Sequence, residues 1–122
     1  ISVLGLTFKP DTDDMRDSPS VPIVARLVED GAHVRVHDPQ GMDQARPLLP
    51  PDVTYCDSIE GALGGADALV VVTEWKAFRN LTPEAIRAAM AGNVVVDLRN
   101  IFDPAAMVAA GLHYYGIGTT PR

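Results

Sequence analysis

Short β-branched runs alternate along this chain with helix-compatible segments that open on Ser, Thr, Asp or Pro and close on Gly. A strand is expected over residues 1–6, ISVLGL, followed by the polar loop TFKPDTDDMRDS, whose charge and turn residues place it at the surface. A helix is predicted over about 19–30, capped by Ser18 or Ser20, with Val24, Leu27 and Val28 on one face and Gly31 at its end. Further strands are read at 34–37 and, after the connection around Pro47, Pro50 and Pro51, at 53–56. A short helix over 58–64 leads to ALVVVT at 68–73, which is apolar on both faces and therefore central and parallel. Thr82-Pro83 opens a helix to about 91, and a strand follows at 94–98. Asp103-Pro104 opens another helix to about 110, ended by Gly111, and a sixth strand lies at 113–115. Right-handed crossovers between such elements make a doubly wound, mostly parallel α/β sheet of about six strands with helices on both faces, a Rossmann-like architecture. At 122 residues the chain suits a single domain, 1–122, around one core.

Such sheets bind ligands outside the carboxyl ends of their strands, where strand order reverses. Function is therefore expected in four post-strand segments: the loop 7–18, His37-Asp38-Pro39, Thr73-Glu74-Trp75 and Leu98-Arg99-Asn100. The net charge of −6, with ten scattered Lys and Arg, argues against a nucleic-acid partner, because phosphate neutralisation needs clustered cations. No apolar run reaches the ~20 residues of a membrane span, and no charged segment precedes a hydrophobic stretch at the start. The lone Cys56 forms no internal disulfide and fits a reducing cytoplasm. Because Ile1 already lies inside an apolar run, the chain reads as a piece of a longer protein.

Individual residues leave alternatives open. Gly5 serves close packing or ligand approach, but no G-x-G-x-x-G follows it, so an autonomous NAD site of the usual kind is not expected. Lys9 and Arg16 lie about an acidic run, Asp11, Asp13 and Asp14 between them and Asp17 just beyond: either a solvated loop with local ion pairs, or two cations directed at a phosphate. The spacing D-x-D-D-x-x-D lacks the glycine and terminal glutamate of a calcium loop, so no metal site is assigned. Asp38 starts a turn or meets a ribose, with the turn favoured. Trp75 is a packed anchor or an interface residue. Arg99 faces a diphosphate or pairs with Asp97 or Asp103. Cys56 reads as an inert thiol, and His33, His37 and His113 imply no mutual geometry, so no catalytic residue is assigned.

The segment GLTFKPDTDDMRDSPS, residues 5–20, resembles the G-x-x-[FY]-K-x-[DN]-x-D-D-x-R-x-[SA] signature of the UDP-glucose and GDP-mannose dehydrogenases, in their C-terminal nucleotide-sugar-binding domain. The likeness continues through VHDP, VVVTEW-x-x-F and VVDLRN, and TDDMR followed by an acid and SPS is closer to the UDP-glucose branch than to the UDP-N-acetyl-sugar branch. The resemblance implies an NAD-dependent enzyme that oxidises the C6 alcohol of UDP-glucose to UDP-glucuronate in two hydride transfers, with a role in polysaccharide biosynthesis. It places Phe8, Lys9 and Arg99 on the substrate and has Arg16 reach an NAD held mainly by a missing N-terminal domain. The family's catalytic cysteine and lysine belong outside this segment, so the fragment is expected to be inactive alone, and the whole enzyme to be a homo-oligomer. Two rivals are a dehydrogenase acting on another nucleotide sugar, and a noncatalytic module that joins domains or subunits through Trp75 and Phe78.

Overall fold

The computed structural model describes residues 1–118. Its strands are β1 (Ser2–Leu4), β2 (Arg35–His37), β3 (Thr54–Tyr55), β4 (Ala68–Val71), β5 (Val94–Asp97) and β6 (His113–Gly116), and its helices are α1 (Ser20–Glu29), α2 (Met42–Ala45), α3 (Ile59–Leu63), α4 (Lys76–Arg79), α5 (Pro83–Ala89) and α6 (Pro104–Ala109). The six strands form one sheet in the order β3-β2-β1-β4-β5-β6 with every pairing parallel. β1 is the pivot: Val3 lies opposite Val36 on one side and Val70 on the other. The crossovers run outward from β1 to β3, return to β4 on the far side of β1, and run outward again. The expected doubly wound α/β fold is therefore present. No helix among the described residues is long and apolar enough to cross a membrane.

Alternation along the strands divides the interior in two. Leu4, Leu69, Val71 and Val95 face a core closed by Leu63 of α3, Phe78 of α4, Ile86 of α5 and Met107 of α6. Val3, Val36, Val70 and Val72 face the other, closed by Val24 of α1 and Ala45 of α2. Burying each of the larger side chains contributes about 1.5–3 kcal/mol, so these two contiguous clusters carry most of the fold's hydrophobic stabilisation. The four helices after β3 cover one face and the two before it cover the other.

Local chemistry explains the helix starts. Ser58, Thr82 and Asp103 each accept the backbone N–H three residues on, and Pro83 and Pro104 occupy first positions where no N–H is needed. α1 departs from expectation: Pro19 is its N-cap, with no side-chain capping bond. Both candidate caps, Ser18 and Ser20, instead donate their hydroxyls to the Leu6 carbonyl. That carbonyl is buried past the end of β1, and leaving it unpaired costs more than leaving a helix terminus uncapped. The polar loop is likewise not wholly at the surface: Thr7, Met15 and Ser18 are buried, with Met15 in the α1-side core. The four-residue helices α2 and α4 carry too short a periodicity to be read from sequence.

Gly92 marks a close approach of backbone to backbone. A Cβ there would overlap the carbonyl of Asp67, while the Gly92 N–H donates to the Ala66 carbonyl at 3.0 Å. Gly92→Ala is expected to destabilise the fold by about 1–3 kcal/mol through overpacking, read as a lowered urea midpoint at unchanged slope. A midpoint equal to wild type refutes the close approach.

Candidate functional site

The sheet reverses between β1 and β4, so the segments leaving the carboxyl ends of β1, β2, β4 and β5 converge there. At their centre is Asp38, fully buried just past β2. Its Oδ1 accepts from the N–H groups of Gln40 and Gly41 at 2.9 and 2.7 Å, which is the turn expected of Asp-Pro. Its Oδ2 reaches further, accepting from Leu6 N at 2.7 Å, Thr7 N at 3.1 Å and the Trp75 indole Nε1 at 3.2 Å. A buried carboxylate is costly unless its lone pairs are met by donors, and here they come from three separate post-strand segments. No ribose is needed to explain Asp38.

The neighbouring residues close around this carboxylate. Trp75 is 6% exposed, a packed anchor with its polar edge turned inward. With Phe78 fully buried as well, neither aromatic offers the docking surface that the joining-module rival needs. A Cβ on Gly5 would land on the backbone nitrogen and side chain of Thr73, and its φ is +97°. Close packing against the segment after β4 therefore decides between the two readings of Gly5.

Arg99 bridges the segments. Its Nε donates to the Val72 carbonyl at 2.9 Å and its Nη2 to the Phe8 carbonyl at 3.1 Å, while Nη1 lies 3.5 Å from Glu74 Oε2. The expected partners Asp97 and Asp103 are otherwise engaged. Asp97 accepts from Arg99 N, Ile101 N, Phe102 N and the Tyr114 hydroxyl, and Asp103 caps α6. Burial, with the Asp97 carboxylate beside it, pushes the Tyr114 phenol well above its ordinary range, so this hydroxyl remains a donor.

Phe8 and Lys9 stand on the outer rim, Phe8 46% exposed. Together with Asp14, Arg16 and Asp17 they line a recess of about 290 Å³. Arg16 also lines a cleft of about 780 Å³ between the loop and α2, with Met15, Gln44 and Leu48. Its side chain is 88% exposed and forks onto Asp14, with Nη2 to Oδ2 at 2.9 Å and Nε to Oδ1 at 3.1 Å. The structure thus gathers Phe8, Lys9 and Arg16 around one recess and ties Arg99 to it through the Phe8 carbonyl. Asp38, Thr7 and Glu74 are the residues that sequence reasoning passed over or underweighted.

The model of the UDP-glucose/GDP-mannose dehydrogenase family, UDP binding domain, matches residues 2–104. The chain belongs to this family. It is 46% identical over 118 residues to a UDP-glucose 6-dehydrogenase of Rhizobium meliloti, covering 97% of this chain and 27% of that protein. A UDP-glucose 6-dehydrogenase of Pseudomonas aeruginosa is 42% identical over 123 residues, again with 97% and 27% coverage. Among solved structures, the UDP-glucose dehydrogenase of Pyrobaculum islandicum aligns with a TM-score of 0.78 at 36% identity, covering 97% of this chain and 25% of the other. The NDP-N-acetyl-D-galactosaminuronic acid dehydrogenase of Methanosarcina mazei aligns with a TM-score of 0.83 at 34% identity, covering 96% and 24%. The chain spans about a quarter of the length of these family members.

Within this family fold, the remaining reactive side chains of the chain lie apart from the recess. Burial pushes the half-buried Cys56 thiol up, against a smaller pull down from Arg35, which keeps it a poor nucleophile. His37 Nδ1 bonds the Cys56 carbonyl at 2.8 Å, and His33 Nε2 bonds Thr54 Oγ1 at 3.1 Å. Among the described residues no group of three or more His, Cys, Asp or Glu is placed to hold a metal ion.

The fork from Arg16 lowers the Asp14 carboxyl to about 2. Because the folded value lies below the ordinary one, whatever the pair adds to folding is present above about pH 4 and lost as the pH falls toward 2. An NMR titration of the Asp14 carboxyl is expected to give a midpoint near 2 that returns toward the ordinary carboxylate value of 3.8 in Arg16→Ala. An unchanged midpoint in the variant rules out the fork as the cause.

Proposed function

We propose that this chain is the C-terminal, UDP-sugar-binding domain, residues 1–122, of an NAD-dependent nucleotide-sugar 6-dehydrogenase whose substrate is UDP-glucose. The reading draws on the family membership and on the names of the UDP-glucose 6-dehydrogenases it resembles over 97% of its length. The observation that carries it is the placement of Arg99: a guanidinium tethered by two carbonyls at the strand ends, beside the exposed Phe8 and Lys9. A nucleoside diphosphate sugar carries two negative charges and flat apolar faces. Lys9 and Arg99 supply cations for the diphosphate, and Phe8 supplies an apolar surface.

The full reaction converts the C6 alcohol to a carboxylate and reduces two NAD per UDP-glucuronate formed. In this reading the described residues supply no dinucleotide cradle. Thr73 fills the space above Gly5, residues 5–19 separate β1 from α1, and the hydroxyls at the start of α1 are turned onto the Leu6 carbonyl. NAD and the groups that react with the sugar therefore belong, in this proposal, to the remaining three-quarters of a longer protein. Arg16, exposed on the outer rim, is the residue proposed to reach the cofactor from this side.

Calorimetric titration of this chain with UDP-glucose, UDP-N-acetylglucosamine, GDP-mannose and NAD tests the reading. UDP-glucose is expected to bind near the millimolar range, about −4 kcal/mol, more tightly than the other sugars, with no heat from NAD and loss of binding in Lys9→Ala. UDP-glucose binding untouched by Lys9→Ala, or a preference for NAD, overturns the assignment. In the longer dehydrogenase, a wild-type KM and kcat in both Lys9→Ala and Arg99→Ala would rule out these two cations as substrate contacts.

A further inference from the structure

Of the residues proposed to contact the nucleotide sugar, Arg99 donates to the Phe8 carbonyl, and Phe8 and Lys9 follow directly on Thr7, which is fully buried beside the Asp38 carboxylate. Every polar group of Thr7 is engaged. Its N–H donates to Asp38 Oδ2 at 3.1 Å and its carbonyl accepts from the Thr73 hydroxyl at 2.6 Å. Its own hydroxyl oxygen accepts from the Trp75 indole at 3.3 Å. The single hydroxyl proton has two acceptors in range, the Lys9 carbonyl at 3.0 Å and Asp38 Oδ2 at 3.3 Å. Asp38 Oδ2 already receives three N–H donors, so the shorter bond to Lys9 is the better use of that proton. Between Thr7 and Lys9 lies Phe8, whose N–H donates to the Asp14 carbonyl at 3.1 Å and whose carbonyl accepts from Arg99 Nη2 at 3.1 Å.

We propose that Thr7 is the positioning residue of this site: its hydroxyl fixes the Lys9 carbonyl, and through the intervening Phe8 carbonyl it sets where Arg99 stands relative to Lys9. The two cations lie ninety positions apart in sequence and are related in space through this three-residue segment. Thr7 touches no ligand in this scheme. It acts on binding by holding the Lys9 and Arg99 donors in a geometry that fits a diphosphate before the ligand arrives.

The claim about geometry stands by itself, and its consequence for catalysis rests on the proposed function. Thr7→Val keeps the volume and removes the hydroxyl; Thr7→Ser restores it. NMR of this chain is expected to show the Lys9 carbonyl carbon and the Arg99 Nη2 protons shifted in Thr7→Val, and the Phe8 amide about tenfold less protected from exchange, while the methyl signals of Val24 and Met107 stay in place. In the longer dehydrogenase, Thr7→Val is expected to raise the KM for UDP-glucose about tenfold with kcat within twofold, and Thr7→Ser to return KM to within about threefold of wild type. If Thr7→Val does not fold, Thr7→Ala, which removes the hydroxyl together with the methyl, is expected to shift the same Lys9 and Arg99 reporters. Unmoved Lys9 and Arg99 signals, shifts spread through both cores, or no recovery with serine each overturn the positioning role. A longer wild-type enzyme that leaves UDP-glucose unoxidised removes the functional reading instead, and the NMR comparison then decides the role of Thr7.

Discussion

The Asp38 carboxylate is the constraint on which this end of the molecule depends. It sits without solvent at the end of β2 and is acceptable there only because backbone and indole N–H groups surround it. Those donors come from the segment after β1, from its own turn and from the segment after β4, so one charge settles the relative placement of three connections. Asp97 repeats the device at the end of β5, gathering Arg99, Ile101, Phe102 and Tyr114. Two buried anions thus lie behind a rim on which Lys9 and Arg16 stand among Asp14 and Asp17 and Arg99 is paired with Glu74. In the proposed reading an anionic ligand meets the cations of that rim, while the carboxylates behind are neutralised by N–H dipoles that stay with the protein.

The architecture was legible because its signals are local. β-branched runs, Thr82-Pro83, Asp103-Pro104 and the glycines at 31 and 111 place the longer elements within a few residues of where they lie. Lys9, Arg16 and Arg99 stood out from the residues themselves as cations that could meet a phosphate, against the alternative of solvated surface or ion pairing; the resemblance added Phe8 and a role for each, which stand as proposals. What escaped are choices made by distant parts of the chain. Ser18 and Ser20 look like helix caps, and only the buried Leu6 carbonyl diverts them. Asp38 reads as a turn starter, which describes one of its two oxygens. Arg99 has acids two and four residues away, yet its charge partner is Glu74, which parallel pairing of β4 with β5 brings alongside.

Family membership identifies the kind of enzyme that contains such a domain. The defined shape of its charged loop comes from backbone carbonyls, which carry no residue identity, and from the inward-turned edge of the Trp75 indole.

The loop carrying the cations also belongs to the interior. Leu6 and Met15 lie in the same cluster as Val24 of α1 and Leu49 beyond α2. The loop therefore cannot swing away from the sheet without exposing apolar surface to water. Its conformational entropy is surrendered when the chain folds, at roughly 1–2 kcal/mol per residue, and a ligand arriving later finds that cost already met. A twelve-residue segment that looks in sequence like a free polar connection is instead anchored to the interior through Met15, with Thr7 and Ser18 buried at its two ends.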